Sequence, residues 1–146
     1  MPGMQEPALE VTFASVSAIG GRSANEDSLG ERAGACGRCY VISDGAGGHL
    51  GGAVASRLVV DAVLEEVEHA PRFSATVVEQ GFARAAASLA ERKRREPSLG
   101  AMSATVAALL VDRAGRRAVC GRWRGAHGVA DKGRSAGHQL PHGQRR

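Results

Sequence analysis

Apolar and polar positions divide the chain into stretches of two different periods. From Glu10 to Ala18, Val11, Phe13, Ser15 and Ser17 alternate with Thr12, Ala14, Val16 and Ala18, which predicts a strand of small residues. Ile19 to Gly34 shows little periodicity and reads as a loop. Arg38 to Ser43 is short, mostly apolar and rich in β-formers, so it reads as a strand with Asp44 at its end. Five glycines follow within the eight residues Gly45 to Gly52. Ala53 to His69 then takes up a helical period, with Val54, Leu58, Val60 or Val63, Leu64 and Val67 recurring on one side. Glu65, Glu66 and Glu68 form its solvent face, and Pro71 closes it. Ser74 is a candidate N-cap for a second helix, with Val78, Phe82, Ala85, Ala86 and Leu89 on one side. That helix ends in Arg92-Lys93-Arg94-Arg95, where cations suit the negative end of the dipole. Met102 to Val111 reads as a buried strand, Asp112 to Gly115 as a turn, and Arg116 to Val119 as the start of a returning strand. The predicted class is α+β, with helices packed against a largely antiparallel sheet.

Composition changes this picture little. The chain has 146 residues, 43% of them apolar, which suits one ordinary globular domain. Aromatic residues are only 3%, against a base-stacking nucleic-acid platform. The longest apolar run, Val106 to Val111, is far short of the ~18 residues a membrane span needs. Met1 to Glu6 shows neither a basic region nor an apolar stretch behind it, so a cytoplasmic protein is expected.

Charge changes it more. Residues 1–119 hold 13 basic and 14 acidic side chains, a net of −1. Residues 120–146 hold 6 basic and 1 acidic, a net of +5. A nucleic-acid-binding domain would spread its charge over a folded face, so no nucleic-acid partner is expected. The sequence beyond Val119 shows no period, and Cys120 to Arg124 does not convincingly continue the strand. The expected domain is therefore 8–119. Residues 120–146 read as a basic Gly/Arg/His-rich tail, either disordered or translated out of frame, with the second reading favoured.

Cys36-Gly37-Arg38-Cys39 has the spacing of a redox or zinc pair. A zinc site needs a second pair, and His49 and Cys120 offer no credible spacing for one. A thioredoxin-like pair opens a helix, whereas Cys39 leads into a strand. Ordinary thiols near a turn are expected.

Three acids occupy special places. Glu26 and Asp27 lie in a loop with Gly20, Gly21 and Asn25, and Asp44 ends a buried strand before glycine. Carboxylates at strand ends present hard oxygen ligands to cations, and glycine lets a backbone carbonyl join them. Two metals bridged by a carboxylate can activate a water, and Arg22 could offer a bidentate fork to phosphate. Turn-stabilising carboxylates account for the same residues equally well.

The order and spacing add a resemblance. Arg22-Ser23-Ala24-Asn25-Glu26-Asp27 resembles the R-x-x-N-E-D motif of the PPM-type, or type 2C, metal-dependent Ser/Thr protein phosphatases. Asp44-Gly45-Ala46-Gly47-Gly48-His49-Leu50-Gly51-Gly52 with Ala55-Ser56 resembles their D-G-x-G-G-H-x-G-G…A-S motif in its bacterial form. Met102-Ser103-Ala104-Thr105 is a looser match to the following segment. Together they span about residues 10–119, the N-terminal half of the family's domain.

The resemblance implies a partial αββα sandwich, two face-to-face antiparallel sheets flanked by helices, whose C-terminal half is missing. It implies two Mn²⁺ or Mg²⁺ ions. Asp44 would bridge them, and Gly45 and Glu26 would ligate one. Asp27 would orient water beside them, and Arg22 would hold the substrate phosphate. Water activated between the ions would attack phosphorus in line, without a phospho-enzyme. The partners implied are proteins phosphorylated on Ser or Thr, with a cognate Ser/Thr kinase. His49 is expected to be structural. Ala46 replaces a histidine proposed as general acid in some eukaryotic relatives. The family's later Gly-Asp motif and its two further metal-binding aspartates have no match after Val119. At most one partial metal site, poor solubility and little or no activity are therefore expected. A non-catalytic, phosphatase-like binding remnant is the alternative. A nucleotide-binding loop at Gly45 to Gly52 is disfavoured, because it lacks the G-K-[ST] ending of a P-loop.

Overall fold

The computed structural model describes residues 10–48, 50–125 and 136–139. Its centre is β2 (Gly37–Ala46), whose alternation is complete: Cys39, Val41, Ser43 and Gly45 are buried, while Arg38, Ile42, Asp44 and Ala46 face outward. β2 pairs antiparallel with β1 (Asp27–Ala33) on one side and β3 (Ser103–Asp112) on the other. β4 (Arg117–Gly125) and β5 (Ala136–Gln139) continue the sheet in chain order, β1-β2-β3-β4-β5.

Helices α1 (Gly51–His69) and α2 (Ala75–Arg95) pack together on one sheet face. Val59, Val60, Val63 and Val67 of α1 and Val78, Phe82, Ala85 and Leu89 of α2 meet Cys39, Val41, Val106 and Leu110 of the sheet. Removing this apolar surface from water is the main stabilising term. Ser74 stands at the N-cap of α2 but makes no side-chain capping hydrogen bond. The basic end of α2 is tied into the helix itself: Arg92 pairs with Glu96 at 2.8 Å, and Arg94 and Arg95 pair with Glu91. The result is an α+β fold with one sheet and one helical layer. The other sheet face carries Leu29, Tyr40, Ile42, Ala107 and Leu109, and Ile42 is 62% exposed.

Two expectations fail. Residues 10–18 are not a strand: they run over the open sheet face, where the rings of Phe13 and Tyr40 lie 4.6 Å apart. Their alternation finds no partner strand among the described residues, and a strand needs one. The first strand instead lies inside the presumed loop, at Asp27–Ala33. Its helix-facing positions are Ser28, Gly30 and Arg32, none of them apolar. Ser28 shares a 2.8 Å hydroxyl hydrogen bond with buried Ser56, and Arg32 pairs with Glu68 at 2.8 Å.

The returning strand also does not stop at Val119. It pairs with β3 from Val111↔Ala118 through Ala104↔Gly125. Val119 and Trp123 are buried against α2, while Cys120, Arg122 and Arg124 project to the other face. The long alternating edge of β3 supplies the register that the sequence of β4 does not advertise. The expected tail thus contributes β5 and residues 120–125 of β4; its other residues, like His49, lie outside the described ones.

Candidate active site

The site is assembled where β1 enters and β2 leaves. Asn25 turns the chain into β1: its Oδ1 accepts the Asp27 amide at 3.0 Å, and its Nδ2 donates to Ser17 at 2.8 Å. The Gly45 amide donates to the Glu26 carbonyl at 3.1 Å, which locks the two motifs together. Asp27 therefore sits directly across from Asp44.

Strand alternation then sorts the acids. Asp27 and Asp44 share the open sheet face and line one cleft with Thr105 and Arg122. Glu26 lies on the other side, toward the first turn of α1. A Cβ on Gly52 would stand 2.3 Å from Glu26 Oε1, so that helix opens with a cradle that only glycine leaves free. A Cβ on Gly45 would fall 1.9 Å from the Gly52 carbonyl oxygen and 2.7 Å from that of Glu26. Glycine at both positions permits the close approach of β1, β2 and α1. Arg22 stands at the same end, largely exposed, with Nη1 3.7 Å from Glu26 Oε2.

The structure thus gathers Arg22, Glu26, Asp27, Asp44 and Gly45 at one end of the sheet. It does not converge them on a point. Among the described residues no three His, Cys, Asp or Glu side chains cluster as a metal site. Two carboxylates and a carbonyl on either side of a glycine cradle are hard donors of the kind Mn²⁺ and Mg²⁺ take, though fewer than such ions need. Thr105, Arg122 and Arg124 also line the Asp44 cleft, and sequence reasoning assigned them no role. Their positions depend on register, which no local pattern announces.

Cys36 and Cys39 are buried and free, and desolvation raises both thiols, Cys39 to about 12 with the charge of Cys36 adding to the effect.

Oxygen donors at a strand end with a guanidinium beside them are donor types that suit cations and phosphate, on an α+β fold. Comparison with known proteins makes this specific. The sequence profile described as protein phosphatase 2C matches residues 16–122, and the chain belongs to that family. The Mycobacterium tuberculosis serine/threonine phosphatase PstP/Ppp superimposes with a TM-score of 0.58 at 27% identity, over 80% of this chain and 43% of that one. The catalytic domain of PstP in complex with two manganese ions gives 0.59 at 30% identity, over 70% and 42%. Staphylococcus aureus Stp1 shares the fold, with a TM-score of 0.60 at 20% identity, over 79% and 50%. The chain therefore spans half or less of the structures it matches. No curated protein sequence matches it. Among the described residues no helix is long and apolar enough to cross a membrane.

Proposed function

We propose that the chain carries the cation- and phosphate-binding part of a phosphoserine/phosphothreonine protein phosphatase. The observation that carries this reading is the lock between the two motifs. The Gly45 amide bonded to the Glu26 carbonyl holds both in one register, with Asp27 opposite Asp44. Asp44, Glu26 and the Gly45 carbonyl would hold Mn²⁺ or Mg²⁺, as the manganese complex of PstP supports. Bound cations would supply Lewis acidity and lower the pKa of water. Arg22 would orient the phosphate and offset its charge. Asp27, beside Asp44, would accept a hydrogen bond from the attacking water and aim it at phosphorus.

The substrates would be phosphorylated Ser/Thr proteins, with a Ser/Thr kinase as counterpart in the cytoplasm. Mn²⁺ titration by calorimetry tests the site: measurable binding, lost in Asp44→Ala, is expected. Turnover of a phosphopeptide by this chain alone is expected to be slight, because its described residues offer too few oxygen ligands. The same shortage favours a second reading, in which the chain binds phosphoproteins without hydrolysing them. Mn²⁺-independent phosphopeptide binding with no turnover would select it.

A further inference from the structure

A hydroxyl interrupts the sheet beside the proposed cation ligands. β2 and β3 pair without a break from Gly37↔Asp112 to Ile42↔Ala107, and again at Gly45↔Ala104 and Ala46↔Ser103. Between these stretches Ser43 and Asp44 have no paired residue on β3. Both strands advance three positions across the gap, so no residue is inserted and the interruption is not a bulge. Backbone direction identifies the missing bond. In an antiparallel strand, successive residues turn their amides and carbonyls to opposite neighbours. The Gly45 amide points to β1, where it meets the Glu26 carbonyl at 3.1 Å. The Asp44 amide therefore points to β3, where ordinary pairing would give it the Thr105 carbonyl. That carbonyl is taken instead by the Ser43 hydroxyl, which donates to it at 2.6 Å. Ser43 is only 4% exposed, so water does not compete for this bond. Its neighbour across β1, Ser28, is engaged elsewhere, with Ser56 at 2.8 Å.

We infer that Ser43 is a positioning residue: by holding the Thr105 carbonyl it releases the Asp44 amide, so that Asp44 can turn toward Glu26 and the Gly45 carbonyl around one cation. The inference rests on the proposed reading of these three residues as cation ligands. Glu26 lies toward α1, while Asp44 lies toward the cleft. Sharing an ion requires them to converge, and turning the Asp44 backbone redirects its carboxylate. A ladder bond at the Asp44 amide would resist that turn and would have to be broken when the cation binds.

The test pairs hydrogen exchange of the backbone amides, read by NMR in EDTA, with Mn²⁺ calorimetry on the same samples. In the native chain the Asp44 amide is expected to exchange about tenfold or more faster than those of Tyr40 and Ile42, which face β3 inside the paired stretch. In Ser43→Ala the Thr105 carbonyl becomes available to the Asp44 amide. Exchange there should slow, and Mn²⁺ should bind about fivefold more weakly, the net worth of one hydrogen bond. Ser43→Cys, close in size and a weak donor, should behave like Ser43→Ala. Ser43→Thr keeps the hydroxyl and should keep both native exchange and native affinity. The urea midpoint in EDTA should hold in Ser43→Ala, because one bond replaces another. A serine that merely supported the fold would lower the midpoint and leave Asp44 exchange unslowed. If Ser43→Ala does not fold, Ser43→Cys and the native exchange pattern still decide.

Unchanged Mn²⁺ affinity in folded Ser43→Ala or Ser43→Cys overturns the inference, as does a native Asp44 amide protected as well as those of Tyr40 and Ile42. Equal weakening in a Ser43→Thr variant of native stability also overturns it, since the hydroxyl would not be the cause. Asp44→Ala separates these failures from failure of the cation reading. Native binding abolished by Asp44→Ala keeps that reading whatever Ser43 does. No Mn²⁺ binding by the native chain removes the reading, and the inference with it.

Discussion

Asp27 and Asp44 face each other across β1 and β2, two carboxylates in one antiparallel pair on the same sheet face. Like charges so placed are destabilising by a few tenths of a kcal/mol to ~1 kcal/mol. A cation held beside both would offset this repulsion. Asp27→Asn is therefore expected to raise thermal stability by about 0.5 kcal/mol without divalent ions. In Mn²⁺ that gain should shrink or reverse. Parallel melting curves with EDTA and with Mn²⁺ check this, and an equal gain in both would contradict it.

The two cradle glycines should fail differently. A methyl at Gly45 would meet backbone oxygens of Gly52 and Glu26, at 1.9 and 2.7 Å, and backbone cannot easily yield. Gly45→Ala is expected to cost at least the ~1–3 kcal/mol of overpacking, read as a lower urea midpoint. A methyl at Gly52 would first meet the flexible end of Glu26. Gly52→Ala should displace that carboxylate, costing less stability and more Mn²⁺ affinity. Urea unfolding and Mn²⁺ calorimetry on both variants separate the effects.

Burial raises the Cys39 thiol from its ordinary value of 9.0 to about 12. Above pH 9 the unfolded chain loses this proton while the folded chain keeps it, so stability falls as pH rises from 9 toward 12. Below pH 9 the contribution is complete. Denaturant melts at pH 8 and pH 10.5 should show the loss, and Cys39→Ala should reduce it. In the native state, iodoacetamide is expected to label exposed Cys120 first and Cys39 last, as mass spectrometry of peptides can read.

The Ser28–Ser56 hydroxyl pair joins β1 to α1 at 2.8 Å, with Ser56 fully buried. Ser56→Ala leaves one hydroxyl without its partner and is expected to cost ~1 kcal/mol. Replacing both serines should cost less than the sum of the single changes. A double-mutant cycle in urea tests this, and strict additivity would show that the hydroxyls do not interact.

Much of this fold is legible in the sequence, and the exceptions have causes. β2, β3 and both helices bury regular apolar faces, so their periods are plain. β1 is hidden because α1 lies too close for large side chains. A Cβ on Gly30 would stand 2.7 Å from Leu64 Cδ1 and 2.9 Å from Val60 Cγ1. Residues 10–18 mislead in the opposite way, having the alternation of a strand but no partner strand among the described residues. The site residues on the two motifs are visible by resemblance. Their division between two faces, with Glu26 toward α1 and Asp27 and Asp44 toward the cleft, follows only from pairing register. Arg122 and Arg124 are illegible for the same reason.

The order of the strands also bears on how the molecule forms. β1 and β2 are joined by a short turn, as are β3 and β4, so each hairpin can close locally and fast. Between Ala46 and Ser103, however, lie both helices, and β2 can meet β3 only by closing that long segment. Closing it costs chain entropy before any pairing is gained. The two aspartates are therefore neighbours early in folding, while the arginines reach them only when the chain completes its slowest association.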